Sequence, residues 1–418
     1  MGAGKTVVTL SAMQELLADD VLTRVLVIAP LKVCGDAWSK EAGGWSHLAK
    51  FAGQIAVATG SPAKRLAAFT SGAKVVVINF ENVPWMVDNK LVDGFDGLLV
   101  DELTKLKAGG KSFKKLRRFL PNFKWRVGMT GTLVSENIES LFYQMMVVDG
   151  GKSFGKNKTN YLTKYFYPTD FNRRNWAPFP DSLSKLTALI SGYVHTMADY
   201  RHTLPPLTVV PLPLPLDEKT KAIYREMARG FETLGVTAMS VAGQYMKLQQ
   251  ISCGFMYDDD KKALYINDIK MDALAEKLQT GSSLLVVYQF IEELDRIYER
   301  FGRVPTIGAG VNDARVGSII EDWNAGAVPL LAIHPKSGGH GLNLQRGGCN
   351  IVWLSPIWSR DLYDQLNARL WRRGQQHPVT VTVLHCIDTV DYLISARLDK
   401  KADLMPAFLN HLASWSVD

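Results

Sequence analysis

The hydrophobic positions of this chain follow two alternating patterns. Short runs of consecutive aliphatic residues, which suit strands buried on both faces of a parallel sheet, are separated by longer stretches with helical spacing. In the first 150 residues these runs are Arg24–Pro30, Lys74–Asn79, Gly97–Asp101 and Trp125–Thr130. The stretches between them are expected to be crossover helices, preceded by an opening helix from Lys5 to Leu17. The pattern predicts a doubly wound α/β domain over residues 1–150.

The same alternation returns in residues 271–418. The predicted helices and strands there are Met271–Gln279, Ser283–Tyr288, Phe290–Phe301, Leu330–His334, Asn350–Leu354, Val379–Leu384 and a final helix from Thr389. We therefore expect a second α/β domain with its own parallel sheet.

Residues 151–270 break the alternation. We interpret Leu204–Pro215 as an extended connector, because proline fixes φ and keeps the preceding residue out of the helical region. An amphipathic helical stretch is expected from Asp217 to Gln250, then a turn and a short hairpin at Gly254–Tyr265. We place the boundary between the two domains near residue 205.

Polar residues follow two of the predicted strands of the first domain. Asp101 and Glu102 end one strand, and Thr130, Gly131 and Thr132 end another. In doubly wound folds ligands bind beyond the carboxyl ends of the strands. Asp101 can hold Mg²⁺ there, and Glu102 can position and deprotonate an attacking water. A solvated turn after a strand remains the alternative interpretation.

The first six residues match the second half of a phosphate-binding loop. Gly2 and Gly4 allow backbone N–H groups to curl around phosphate oxygens, Lys5 supplies a cation, and the Thr6 hydroxyl can ligate Mg²⁺. The alternative is a glycine turn that caps an ordinary helix. The full motif begins two residues before Met1, so we expect the first sheet to lack the strand that feeds this loop, or to fill its place with another segment. That would give a frayed loop and weak, base-indifferent nucleotide binding.

Two features of the C-terminal domain carry further candidates. The glycine-rich turn Ser337–Leu344, which includes Gly341, follows a predicted strand. In the segment Asp361–Gln375, a continuous helix would place Gln365, Arg369 and Arg372 on one face, because they are spaced i, i+4, i+7. We therefore expect two guanidinium groups to point in one direction.

The composition of the chain is basic. Lys and Arg total 48 against 41 Asp and Glu, with a pI near 9.0, which suggests a polyanionic partner; a merely solvated basic surface is the alternative interpretation. Lys105–Arg118 contains seven cations and no acid, and its helix, expected from Ser112, could follow a phosphate backbone.

Cysteine and apolar patterns exclude other classes of protein. The four cysteines are far apart and lack metal-ligand spacing, so we expect buried thiols in a reducing cytoplasm. No apolar run reaches the roughly 18 residues of a membrane span. We therefore expect a soluble protein of the cytoplasm, or of the host cytoplasm if it is viral.

Together these motifs resemble motifs I, II, III, V and VI of the superfamily 2 helicases. Within that superfamily the chain is similar to the Swi/Snf-type DNA translocases, especially the small stand-alone members of bacteriophages and prophages. The motif-bearing positions are residues 1–6, Asp101 and Glu102, 128–132, 337–344 and 361–375. The resemblance covers nearly the whole chain.

The resemblance implies an ATP- and Mg²⁺-dependent motor with two RecA-like lobes, a nucleotide in the cleft between them and duplex DNA as the partner. It assigns residues 151–270 to an insertion and connector, Thr130, Gly131 and Thr132 to coupling of the γ-phosphate to lobe closure, and Gly341 to a motif that faces nucleotide and DNA. It gives Arg369 and Arg372, with Gln365 beside them, the role of reaching the γ-phosphate.

We expect this motor to be a monomer that acts away from membranes, with a separate recruiting protein as an additional partner. Two alternatives stay open. One is an ATPase-impaired DNA-binding or regulatory protein with the same fold, and the other is an RNA-directed helicase of superfamily 2.

Overall fold

The structure is a computed structural model that describes residues 4–35, 38, 41–106, 108–131, 133, 138–195, 203–308, 310–311, 313–338 and 342–398. The chain divides into two compact units, Met1–Asp199 and Tyr200–Asp418. Each unit is built on a parallel sheet with helices packed against it, so the predicted α/β class with two parallel sheets is confirmed.

The first unit contains a five-stranded parallel sheet with the order β2-β3-β1-β4-β5. Its strands are β1 Val25–Ala29, β2 Ile55–Ala58, β3 Val75–Asn79, β4 Gly97–Asp101 and β5 Trp125–Met129. All side chains of β1 and β3 are buried, as continuous apolar runs predict for central strands. Within the described part of the chain β5 pairs with β4 alone and forms one edge. The carboxyl ends of β3, β1, β4 and β5 meet along one rim of this sheet.

Helices cover both faces of this sheet. The helices are α1 Lys5–Ala18, α2 Leu31–Gly35, α3 Glu41–Gly44, α4 Ala49–Ala52, α5 Pro62–Thr70, α6 Val83–Asp88, α7 Lys111–Leu116, α8 Leu141–Asp149, α9 Lys158–Tyr165 and α10 Ser182–Ile190. One core joins α1 and α3 to Val25 and Val27 of β1, and the other joins α5–α8 to Leu26 and Ile28. Alternate strand residues therefore face opposite layers. A two-stranded antiparallel hairpin, β6 Phe166–Pro168 with β7 Trp176–Pro178, lies between α9 and α10.

The second unit contains a six-stranded parallel sheet with the order β14-β15-β13-β16-β17-β8. The strands of this unit are β8 Leu207–Leu214, β9 Glu232–Thr233, β10 Val236–Thr237, β11 Phe255–Tyr257, β12 Ala263–Tyr265, β13 Leu284–Val287, β14 Thr306–Ile307, β15 Leu330–Ile333, β16 Asn350–Trp353 and β17 Val379–Cys386. Strands β9 and β10 form one hairpin, and β11 and β12 form the hairpin that the sequence predicts.

The helices of the second unit surround its sheet and hairpins. They are α11 Glu218–Gly230, α12 Val241–Ser252, α13 Ile269–Leu278, α14 Ile291–Phe301, α15 Asp313–Asn324, α16 Pro335–Gly338, α17 Arg360–Asn367 and α18 Val390–Leu398. The amphipathic stretch predicted from Asp217 to Gln250 is therefore two helices with the β9–β10 hairpin between them. Helices α11, α12 and α18 share one core.

The proline-rich segment is part of the sheet and not a free connector. It forms β8, which pairs in parallel with all of β17 from Leu207 opposite Val379 to Leu214 opposite Cys386. Proline is tolerated because β8 is an edge strand, where alternate backbone nitrogens face away from the single neighbouring strand. The segment is extended, as proline predicts, but it belongs to the second unit.

A buried ion pair ties α13 to α18 in the second unit. Lys270 Nζ lies 2.9 Å from Asp391 Oδ2, and both side chains are almost fully buried. Burial alone would lower the pKa of Lys270, but the Asp391 carboxylate raises it above its ordinary value. Asp391 also accepts hydrogen bonds from Ser252 Oγ and from the backbone N–H of Cys386, both at 3.0 Å. Cys34, Cys253 and Cys386 are buried free thiols, as the sequence predicts, whereas Cys349 is only partly buried.

Candidate functional site

Helix α1 begins with a turn suited to a phosphate group. Gly4 precedes it with φ 75°, in the left-handed region that favours glycine, and no side chain caps the helix. The first backbone N–H groups of a helix have no partner within the helix, and this first turn contains Lys5 and Thr6 but no acid. These donors and this charge fit an anionic ligand. Gly2, the other predicted loop glycine, lies outside the described residues.

A side-chain contact fixes α1 against the end of β5. Thr9 Oγ1 lies 2.6 Å from the carbonyl oxygen of Lys5 and 3.0 Å from Sδ of Met129. Met129 is the last residue of β5 and is in register with Asp101, the last residue of β4. The first turn of α1 is thereby held at the rim of the sheet where Asp101 ends its strand. Sequence reasoning missed Thr9, which looks like an ordinary helix residue.

Asp101 and Glu102 mark the point where the chain leaves β4. Both are half-buried, and Glu102 has φ 62°, an uncommon conformation for a residue other than glycine. This turn leads directly into a short 3₁₀ helix, Leu103–Leu106, and Glu102 Oε1 accepts a hydrogen bond of 2.7 Å from Thr104 Oγ1. The Glu102 carboxylate is therefore held in place by its own turn.

A third carboxylate lies at the same rim. Burial, together with the charges of Asp101 and Glu81, raises the pKa of the Cys34 thiol to about 12. Glu81 follows β3, and its Oε2 accepts a hydrogen bond of 2.7 Å from Asn79 Nδ2. Because both carboxylates act on one buried thiol, Glu81 belongs to the surroundings of Asp101. The sequence gives no signal for Glu81, since polar residues after a strand are common.

The remaining predicted positions of this unit are only partly described. Thr130 is half-buried and Gly131 is exposed, directly after Met129 of β5. Thr132 lies outside the described residues. The structure thus brings together Lys5, Thr6, Asp101, Glu102 and Thr130 around one rim, through the order of the strands and the contact between Thr9 and Met129.

The residues present fit a magnesium nucleotide. No group of three or more His, Cys, Asp or Glu side chains suited to a metal occurs in the described ranges. Mg²⁺ is commonly held by one or two carboxylates together with substrate phosphates and water, so it needs no such group. Asp101 and the Thr6 hydroxyl are the protein oxygens that would hold it, and the first turn of α1 would hold the phosphates.

In the second unit, the predicted arginine face requires a correction. Helix α17 ends at Asn367, so Gln365 is helical, whereas Arg369 and Arg372 lie in the turns that follow. The helix tightens at this point: Arg369 N–H donates to the Leu366 carbonyl at 2.8 Å, and Trp353 Nε1 donates to the Asn367 side chain at 3.0 Å. The prediction that the three side chains share one helical face is therefore wrong.

Arg372 nevertheless contacts the glycine-rich segment. Its Nη1 donates a hydrogen bond of 3.2 Å to the carbonyl of Leu342. Leu342 directly follows Gly341, which lies outside the described residues together with 339 and 340. Arg369 and Gln365 are both buried. Within the second unit, the two predicted motifs therefore meet at Arg372.

The basic segment after Glu102 forms a helix that begins one residue before the predicted start at Ser112. Helix α7 covers Lys111–Leu116 and continues as a 3₁₀ helix to Asn122. Phe113 and Leu116 are buried, and the side chains that face solvent are Lys111, Lys114, Arg117 and Arg118. Lys115 is paired with Asp88, and Lys107 lies outside the described residues. The four exposed side chains give this segment a cationic surface.

Comparison with known proteins identifies the family of the chain. The family model described as SNF2-related domain matches residues 1–265. "Putative protein p41" of Acyrthosiphon pisum secondary endosymbiont phage 1 is 30% identical and covers 98% of this chain and 93% of its own. The predicted resemblance to the Swi/Snf group, and to its phage members, is confirmed.

Two longer relatives match almost the whole chain. The Bacillus subtilis "Putative ATP-dependent helicase/translocase YwqA" is 21% identical over 97% of this chain and 45% of its own. The Caenorhabditis elegans "Chromodomain-helicase-DNA-binding protein 3 homolog" is 23% identical over 96% of this chain and 25% of its own. The chain thus spans less than half the length of either. Among the residues that the structure describes, no helix is long and apolar enough to cross a membrane. The chain belongs to the SNF2-related family and carries its helicase-like ATPase domain.

Proposed function

We propose that this protein hydrolyses ATP in order to move along duplex DNA. The observation that carries the proposal is the contact between Thr9 and Met129, which sets the first turn of α1 beside the end of β4. A phosphate-binding turn, a carboxylate for a metal and a second carboxylate for water are the parts that phosphoryl transfer to water requires.

In this proposal the first unit binds the nucleotide. The backbone of the first turn of α1 and Lys5 bind the phosphates, while Thr6 and Asp101 bind Mg²⁺. The ion, when bound, neutralises charge on the phosphate oxygens. Glu102 orients the attacking water, a role for which the hydrogen bond from Thr104 fixes its carboxylate. Thr130, Gly131 and Thr132 respond to the γ-phosphate.

Residues of the second unit complete the reaction in the same proposal. Arg372 and Arg369 stabilise the negative charge that spreads over the γ-phosphate oxygens in the transition state. Gln365 and Gly341 belong to the same two motifs. The hydrogen bond from Arg372 to Leu342 links those motifs, so that a change at the nucleotide is passed to the glycine-rich segment.

The choice of DNA rests on charge and on the named relatives. The exposed cations of α7 and its 3₁₀ extension, together with the excess of Lys and Arg, suit contacts with a phosphate backbone. Two relatives are named as a helicase or a DNA-binding protein. Such contacts are insensitive to sequence and sensitive to salt. Duplex DNA is favoured because the Swi/Snf-type proteins that the chain resembles translocate on duplexes.

The test is ATP hydrolysis with no polymer, duplex DNA, single-stranded DNA or RNA, at low and at moderate salt. We expect duplex DNA to raise the rate at low salt and to lose this effect as salt rises. Stimulation by RNA alone would identify the RNA-directed alternative. Absence of turnover under all conditions, with DNA binding intact, would identify the ATPase-impaired alternative. Lys5→Ala is the control for a contaminating ATPase.

A further inference from the structure

The hairpin between α9 and α10 ends in an ordered tip, residues 169–175. The Asp170 carboxylate accepts hydrogen bonds from the backbone N–H of Arg174 at 2.7 Å, from that of Asn175 at 3.2 Å and from Asn175 Nδ2 at 2.9 Å. Thr169 N–H donates to the Asn175 carbonyl at 2.9 Å, and Trp176 Nε1 donates to the Arg173 carbonyl at 3.0 Å. None of these bonds involves the side chain of Phe171, so the tip keeps its shape without it.

The hairpin is anchored at its base and aromatic at its surface. Phe166 is 2% exposed and belongs to the core of the first unit. Phe171 is 100% exposed at the tip, and Tyr167 and Phe179, whose ring centroids lie 5.6 Å apart, are also exposed. A single exposed aromatic residue is ordinary, but here a fully exposed ring on a hydrogen-bonded tip is accompanied by two further exposed rings along the same hairpin and at its end, which makes the hairpin a candidate binding surface. Covering it would remove apolar area from water.

The charges around the tip select the kind of partner. From 151 to 180 the chain has six cations and one acid, Asp170. That carboxylate is engaged by the three hydrogen bonds within the tip. Arg173 and Arg174 are exposed, and neither guanidinium pairs with a side chain among the described residues. An apolar ring next to two available cations matches a base next to backbone phosphates.

We propose that the tip is a base-stacking contact on DNA: Phe171 stacks on a nucleobase, and Arg173 and Arg174 bind the phosphates beside it. This inference rests on the proposed action on DNA and adds to it a defined point of contact. The base comes from one of two sources, an unpaired base at a fork or a base step opened within a duplex. Aromatic side chains stack on the former, and apolar wedges inserted at the latter bend or open the helix.

The experiment measures DNA binding by fluorescence anisotropy for the full chain and for Phe171→Ala. Two DNA substrates of equal length are used, an intact duplex and a fork, each with 2-aminopurine at its centre or junction. Loss of one base–aromatic stack predicts at least about fivefold weaker binding to the substrate that supplies the base. The 2-aminopurine signal identifies that substrate. Phe171→Trp, which keeps an aromatic face, should restore binding.

Two control variants match the changes in size and charge. Leu183→Ala removes another exposed apolar side chain, on α10, and should bind DNA as the parent does. Arg173→Ala/Arg174→Ala should reduce the slope of log affinity against log salt by about 1.8 on a duplex and about 1.4 on a single strand, as two lost phosphate contacts predict. The control Lys50→Ala/Lys74→Ala removes two exposed lysines that precede β2 and β3. It should change that slope less than Arg173→Ala/Arg174→Ala does. The thermal midpoint reports whether each variant is folded.

Equal affinity of Phe171→Ala and the parent for both substrates would overturn the inference. So would equal losses in Phe171→Ala and Leu183→Ala, which would indicate a general apolar patch. Failure of the proposed function gives a different result: the parent chain itself then binds neither DNA substrate.

Discussion

A Cβ atom added to Gly128 would lie 2.4 Å from Cδ2 of Leu103. Gly128 is in β5, and Leu103 opens the 3₁₀ helix that follows Glu102. Because Gly128 has no side chain, Leu103 and the turn that follows β4 can pack directly on β5. Leu103 directly follows Glu102, whose φ of 62° is a strained backbone conformation for a residue other than glycine.

Gly128→Ala is expected to push Leu103 away and disturb the Glu102 turn. Overpacking of this kind costs about 1–3 kcal/mol in the free energy of unfolding, and the displaced carboxylate should also lower the rate of ATP hydrolysis. Thermal unfolding and turnover are measured on the same sample. Gly43→Ala, a helical position at which an added Cβ meets no atom within 4 Å, is the matched control. Equal behaviour of the two variants would contradict the proposed coupling.

Asp391→Ala is expected to destabilise the second unit strongly. It leaves the buried Lys270 ammonium without its carboxylate, and breaking a buried pair in this way costs about 3–5 kcal/mol. The midpoint of urea unfolding measures the effect.

The control for that variant breaks an exposed pair in the same unit. Arg300 Nη2 lies 2.7 Å from Asp272 Oδ1, and both side chains are about half exposed. Asp272→Ala should cost at most about 1 kcal/mol. A similar loss in both variants would show that the burial of Lys270 and Asp391 has no energetic consequence.

Arg372→Ala is expected to leave ATP binding nearly unchanged and to lower hydrolysis by about a thousandfold, since the proposed role is confined to the transition state. Loss of the charged hydrogen bond to Leu342 should cost about 1.5–3 kcal/mol of stability. Nucleotide affinity and single-turnover rate are measured separately, with the exposed Arg346→Ala as the control. A large loss of affinity with normal turnover would contradict the assignment.

The strands were predictable where burial is continuous. Gly97–Asp101 was predicted with the bounds that the structure has, because a run of apolar residues ending in a carboxylate is typical of a central parallel strand. Strand β2, Ile55–Ala58, was missed because it is short, contains two alanines and is only half-buried. Strand β8 was taken for a connector because prolines argue against central strands but not against edges.

The candidate site was predictable in its residue types and not in its contacts. Lys5, Thr6, Asp101 and Glu102 stand out by motif, but Thr9 meets Met129 across 120 positions of the chain. Nothing in local spacing marks such a pair. The position of Arg369 was misjudged because the periodicity of residues 361–375 continues past Asn367, where side-chain contacts and tighter turns end α17.

Movement on duplex DNA is the central claim, and displacement of a triplex-forming oligonucleotide from a duplex measures it directly. We predict that the chain releases the third strand in the presence of ATP and Mg²⁺, and that Lys5→Ala, which removes the cation from the phosphate-binding turn, does not. Release should also stop as salt rises, because the motor is held by phosphate contacts. Hydrolysis of ATP on duplex DNA without release of the third strand, or equal release by Lys5→Ala, would contradict the account.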